Sequence, residues 1–95
     1  MLLHESHDGK IAKCLQGEIV NIWLMEKADG YVWSPEENYP NITMKNILAG
    51  PTPDSANILF QFKAMEEQTI KMIYRREWLG EATIKRALTF YIRIV

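Results

Sequence analysis

Apolar and polar positions alternate with a period of two along much of this chain, the signature of half-buried strands. Asn57 to Ala64 shows it most clearly: Ile58, Phe60, Phe62 and Ala64 share one face, Gln61 and Lys63 the other. Thr69 to Arg75 repeats it, with Ile70, Met72 and Tyr74 set against Thr69, Lys71 and Arg75. Leu88, Phe90, Ile92 and Ile94 alternate with Thr89, Tyr91 and Arg93. After a turn at Gly17-Glu18, the run Ile19 to Leu24 puts Val20, Ile22 and Leu24 on one face and leaves Trp23 on the other, toward solvent. Shorter strands are predicted at Lys10–Leu15, at Tyr31–Trp33, which stops at Ser34-Pro35, and at Ile42–Leu48, which stops before Ala49-Gly50-Pro51. Trp33 reads as a packed core residue of the third of these strands.

About seven strands spaced near a dozen residues apart predict an all-β fold, an antiparallel β-sandwich, with residues 1–95 as one domain. Helical signals are weak. Met65 to Gln68 favours helix over about one turn only, too little to stand alone, and reads as the loop between two strands. Glu81 to Ala87 has room for a single helical turn. The most irregular stretch, Ala49 to Ala56, carries two prolines and a glycine and is a loop by its chemistry.

Composition narrows the functional classes. At 47% hydrophobic and 24% charged, the chain has the makings of a globular unit rather than a disordered tail. Its formal net charge of −1 argues against a nucleic-acid binder, which carries a basic stripe. No apolar run approaches the roughly 18 residues that span a bilayer, so no membrane partner is expected. The start, Met1 to Asp8, shows no basic and apolar leader; a cytoplasmic location is expected if the chain is complete. One cysteine, Cys14, excludes an internal disulfide and reads as a small packed residue rather than a nucleophile. Zinc-type spacing, a phosphate-cradling loop and a Gly-x-Ser-x-Gly elbow are all missing, so neither an enzyme nor a cofactor is expected. His4 and His7 with Glu5 and Asp8 offer a small metal patch, read here as solvated terminal residues. Asn41-Ile42-Thr43 matches a glycosylation acceptor, incidental without a leader.

The unusual residues fall in connections. In a seven-strand sandwich of this order the second-to-third, fourth-to-fifth and sixth-to-seventh loops cluster at one end. Here they span about residues 25–31, 49–56 and 75–85. The last carries Arg75-Arg76-Glu77-Trp78-Leu79-Gly80, and a Trp beside Arg in a polar loop has the makings of an interface anchor. The first ends in Asp29-Gly30-Tyr31, where Gly30 allows a left-handed backbone and a close approach.

Three stretches resemble the chagasin-type inhibitors of cysteine peptidases, small immunoglobulin-like proteins that block papain-like enzymes. His7-Asp8-Gly9 through Gly17-Glu18-Ile19-Val20-Asn21-Ile22-Trp23-Leu24 resembles that family's first hairpin. Gly30-Tyr31-Val32-Trp33 resembles the end of its Asn-Pro-Thr-Thr-Gly-aromatic-x-Trp motif, and Phe60 to Gly80, with Tyr74-Arg75-Arg76-Glu77-Trp78-Leu79-Gly80, its Tyr-x-Arg-Pro-Trp-x-Gly segment. Leu88 to Ile92 then fits the closing strand. The likeness spans nearly the whole chain except residues 34–56. Three departures stand out: Glu26-Lys27-Ala28-Asp29 replaces Asn-Pro-Thr-Thr, Pro51-Thr52-Pro53-Asp54-Ser55 replaces a glycine-rich loop, and Glu77 replaces the proline. The resemblance implies an immunoglobulin-like sandwich, monomeric, that occludes the cleft of a papain-like cysteine peptidase reversibly with three loops. The peptidase-binding residues it implies are Asp29, Gly30 and Tyr31, then Pro51, Thr52 and Pro53, then Arg76 and Trp78. The alternative is an immunoglobulin-like protein-binding module whose altered loops serve another partner.

Overall fold

A computed structural model of the chain describes residues 1–27, 30–37, 39, 41–76 and 83–95, residues 45–49 by their backbone alone. Eight strands are seen among them: β1 (Leu2–His4), β2 (Ile11–Cys14), β3 (Glu18–Lys27), β4 (Val32–Pro35), β5 (Thr43–Ala49), β6 (Ser55–Ala64), β7 (Gln68–Arg75) and β8 (Arg86–Ile94). They form two four-stranded sheets, ordered β1-β3-β6-β5 and β2-β8-β7-β4. The two sheets face each other across an apolar interior, the layered solution for strands that each hide one face.

The alternation read from the sequence sets which side chains fill that interior. Val20, Ile22 and Leu24 of β3 are buried with Ile58, Phe60, Phe62 and Ala64 of β6. Ile70, Met72 and Tyr74 of β7 and Leu88, Phe90 and Ile92 of β8 join them from the other sheet. The ten-residue antiparallel ladder from Glu18↔Ala64 to Lys27↔Ser55 holds the first sheet in register, so a one-residue slip would turn the slipped strand's apolar face to water. Trp33 is in the core as expected: its indole Nε1–H donates to the Met25 carbonyl oxygen at 2.9 Å, so the ring is buried without stranding its polar atom. Trp23, expected toward solvent, is only half-buried; it stands on the outer face of β3 directly across from Leu59.

Two features depart from an antiparallel seven-strand sandwich. Leu2–His4 adds an eighth strand: three residues, of which only Leu3 is buried, carry no readable period. Two edge pairings, β1 with β3 and β2 with β8, are parallel. Both follow from the short 3₁₀ turn at Glu5–His7, which carries the chain from the edge of one sheet to the edge of the other. The loop reading of Met65 to Gln68 holds for residues 65–67, which are exposed and join β6 to β7, while Gln68 already opens β7. The helical turn considered for Glu81–Ala87 falls partly outside the described residues; Ala87 itself is in β8.

Two measurements check this core. Phe62 is fully buried, and Phe62→Ala is expected to cost about 3–5 kcal/mol in urea unfolding, enough to leave so small a domain largely unfolded. Cys14 is 0% exposed. Burial pushes its thiol pKa up, the Glu18 carboxylate pushes the same way, and the N-terminal ammonium partly opposes them. An aromatic disulfide reagent at pH 8 should therefore leave the native protein unlabelled and label it fully in denaturant. Because the folded state favours the protonated thiol, this stability is complete below the unfolded thiol's range and is lost as pH rises through the raised folded pKa.

Candidate functional site at one pole of the sandwich

Strand register places the three irregular connections together. Lys27↔Ser55 sets the end of β3 beside the start of β6, and hence beside the β5–β6 loop. Val32↔Arg75 sets the start of β4 beside the end of β7. The Lys85 N–H donates to the Tyr74 carbonyl oxygen at 2.8 Å, so the β7–β8 connection returns to that same level. The described parts of the three connections, residues 25–27 with 30–31, 50–56, and 75–76 with 83–85, thus lie at one pole.

Between the first and third loops runs an aromatic column. The Trp33 ring lies 4.9 Å from that of Tyr74, and Tyr74 lies 5.6 Å from Tyr31, both pairs tilted by 31°. Each such pair contributes about 0.5–1.5 kcal/mol beyond the area it buries. Trp33 and Tyr74 belong to the core; Tyr31 is half-buried and forms the outer end. The Tyr74 hydroxyl accepts a hydrogen bond from the Lys27 N–H at 3.2 Å, tying β7 to the facing sheet where the first loop departs. Glu26 accepts the Trp33 N–H at 2.8 Å and spans the same loop from below.

Cations close the column. The Arg76 guanidinium carbon stands 4.8 Å from the centre of the Tyr31 ring, and Lys85 Nζ stands 5.0 Å from it. A cation over an aromatic face gains roughly 0.5–1 kcal/mol at a part-exposed site, and more when desolvated. The seat of Arg76 on Tyr31 makes it a brace between the third loop and the first. Thr83 adds a second tie, its hydroxyl donating to the Arg76 carbonyl oxygen at 2.9 Å.

Gly30 has φ +86°, a conformation that resists any side chain, so glycine is dictated just before Tyr31. The β5–β6 loop has its own constraint. The Ser55 N–H donates to the Thr52 carbonyl oxygen at 3.1 Å, and the Gly50 N–H to the Ser55 carbonyl oxygen at 3.0 Å. The Thr52 hydroxyl donates to the Asp54 carboxylate at 2.6 Å. That bond, with a backbone hydrogen bond, lowers the Asp54 pKa below its usual value. A β-carbon at Gly50 would stand 2.8 Å from the Ser55 carbonyl carbon, so the turn admits only glycine. Pro51, Thr52 and Pro53 are exposed along its outer edge, beside a shallow depression of ≈ 280 Å³ against Glu26 and Lys27.

Of the residues singled out in the sequence, Gly30, Tyr31 and Arg76 are brought into one cluster, and Pro51, Thr52 and Pro53 lie at the same pole. Asp29 and Trp78 fall outside the described residues. Lys85, Lys27 and Asp54 were missed. Lys85 has no sequence signal, because its role depends on a contact across two loops; Thr52-x-Asp54 is a short polar pair whose hydrogen bond was legible in principle. Among the described residues no group of three or more His, Cys, Asp or Glu could hold a metal ion, and the His4–His7 patch does not assemble into one.

No protein-family model matches the sequence, and no curated protein matches it. Solved structures do. The crystal structure of the cysteine protease inhibitor EhICP2 from Entamoeba histolytica superposes with a TM-score of 0.80 at 23% identity, over 99% of this chain and 94% of the other. The solution structure of Amebosin superposes with a TM-score of 0.79 at 20% identity, over 100% and 97% of the two chains. At these identities the likeness is one of fold, and that fold is the β-sandwich the alternation predicted.

Proposed function

We propose that this chain is a chagasin-type protein inhibitor of papain-like cysteine peptidases and that it blocks the cleft with the pole just described. The observation that carries the reading is the convergence there of three loops, the first and third of them held by one aromatic and cationic column: Tyr31 from the first, Arg76 and Lys85 from the third, and Tyr74 beneath. A fold shared with a protein named as a cysteine protease inhibitor supports it.

The mechanism is one of occupation without reaction. A catalytic thiolate attacks a carbonyl only from near-attack geometry, about 3–3.5 Å away and aligned. A loop whose backbone crosses the nucleophile out of register fills the cleft and is not cut. Asp29-Gly30-Tyr31 is the wedge, since Gly30 removes the side chain that would hold the backbone away. Tyr31 is fixed from below by Tyr74 and from the side by two cations, so little order remains to be gained on binding. Pro51-Thr52-Pro53 closes over one flank, stiffened by its prolines and the Thr52–Asp54–Ser55 hydrogen bonds. Trp78 is the aromatic anchor on the other flank. Three loops suffice for a standard interface of about 800 Å² per partner. No nucleophile, metal or cofactor takes part.

Titrating a panel of papain-like peptidases with the purified protein tests this. Reversible, competitive inhibition by the wild type is expected at or below micromolar concentration. Trp78→Ala should weaken it by about 2 kcal/mol or more, roughly thirtyfold. Gly30→Glu should abolish it while thermal unfolding stays cooperative. If the wild type leaves every peptidase active at micromolar concentration, the binding-module alternative replaces this reading.

A further inference from the structure

The four sheet edges are not equally protected. The β4 edge ends in Pro35, and the β5 edge is broken by a register shift between Met44 and Asn46. The β2 edge carries neither device. Its register with β8 is parallel, and the carbonyl oxygens of Lys10 and Cys14 accept from the N–H groups of Tyr91 and Val95 at 3.3 and 2.9 Å. The backbone groups of the even-numbered residues therefore point into the sheet. By alternation, the N–H and C=O of Ile11 and Lys13 point outward, away from β8. No described strand pairs with β2 on that side.

The side chains around this open edge are apolar and basic. Ile11 is 58% exposed, Leu2 54% and Tyr91 44%, all on the flank formed by β1, β2 and β8. Ile11 is the ridge between two shallow grooves. One, of ≈ 580 Å³, runs past Tyr91 and Thr69 on the outer face of the second sheet; the other, of ≈ 230 Å³, lies between the β1 and β2 edges past Leu2 and Ala12. Two neighbouring charge pairs are closed: Arg93 with Glu67 at 3.9 Å and the N-terminal ammonium with Glu18 at 3.6 Å; Asp8 accepts the Thr89 N–H at 2.8 Å and keeps its charge. Lys10 and Lys13 are exposed and have no carboxylate partner among the described residues. Along the edge the order is thus basic, apolar, apolar, basic: Lys10, Ile11, Ala12, Lys13.

We propose that β2 is a second interaction surface, which adds an extended partner segment as a fifth strand, and that the segment reads acidic-apolar-apolar-acidic. Strand addition supplies four backbone hydrogen bonds from Ile11 and Lys13, and alternate side chains fall into the two grooves. A carboxylate at each end of the segment meets Lys10 and Lys13. The pattern is palindromic, so it fits in either strand direction. A second copy of this chain is the wrong occupant: pairing β2 with β2 gathers four lysine side chains along one seam, and like charges across strands repel. The surface is separate from the pole, since Tyr91 is five residues along β8 from Arg86, roughly 16 Å.

A fluorescent octapeptide with the core Asp-Val-Val-Asp tests the proposal on the intact protein. Saturable binding is expected below about 1 mM, with the amide protons of Ile11 and Lys13 gaining protection from hydrogen exchange. The double variant Lys10→Glu/Lys13→Glu should lose about tenfold in affinity and gain affinity for a Lys-Val-Val-Lys probe. Lys13→Pro removes the outward N–H without touching the bonds to β8, and should weaken the acidic probe while the fold is kept. Absence of saturable binding to the wild type, indifference to charge reversal, exchange protection centred on Gly30–Tyr31, or a dimer through β2 would each overturn it. Because no peptidase is present, the outcome is independent of whether the pole inhibits one.

Discussion

Everything at the pole depends on Tyr74. It is the point where the packing of the sandwich becomes the packing of the loops. Its ring is buried among core residues, yet its two aromatic neighbours belong to different regimes: Trp33 is interior and Tyr31 is at the rim. Its hydroxyl reaches the facing sheet at Lys27 and its carbonyl holds the returning third loop at Lys85. One side chain and its own backbone thus couple both sheets and two of the three loops. A loop so anchored inherits the rigidity of a close-packed interior, where displacements cost contacts at once. That rigidity is what the proposed wedge requires.

Much of this was legible from residues alone, and the reason is periodicity. Strands β3, β6, β7 and β8 are long enough, at eight to ten residues, for alternation to declare a face. Strand order then set the expectation of which connections share an end. What alternation cannot carry is pairing direction. Leu2–His4 and Ile11–Cys14 are three and four residues long, and their parallel partners are settled by a short 3₁₀ turn that sends the chain from one sheet to the other. The eighth strand was hidden for the same reason.

The site was legible in its glycines and aromatics and illegible in its cations. Gly30 before Tyr31 announces a left-handed turn by residue type. Arg76 announces only that a charge is present; that it stacks on Tyr31 is a fact of two loops meeting, with about forty-five residues between them in sequence. Lys85 is the same case. The β5–β6 loop lies between these extremes. Its prolines mark a loop, and its steric demand on Gly50 appears only once Ser55 is in place.

The contrast between pole and flank follows from how each manages polar backbone. At the pole, several backbone groups of the described loop residues are bonded internally, through Ser55, Thr52, Tyr74 and Glu26, so what these offer a partner is shape. At β2 no described strand pairs with the outward N–H and C=O groups, and what the edge offers is unspent hydrogen-bonding capacity. Exposed strand edges are a hazard in proportion to how indiscriminately they pair. Two unneutralised lysines flanking Ile11 and Ala12 answer that hazard by repelling an identical edge, and the same charges select for a strand of opposite sign. Protection against self-association and recognition of an acidic partner are here one electrostatic arrangement, seen from the two possible occupants.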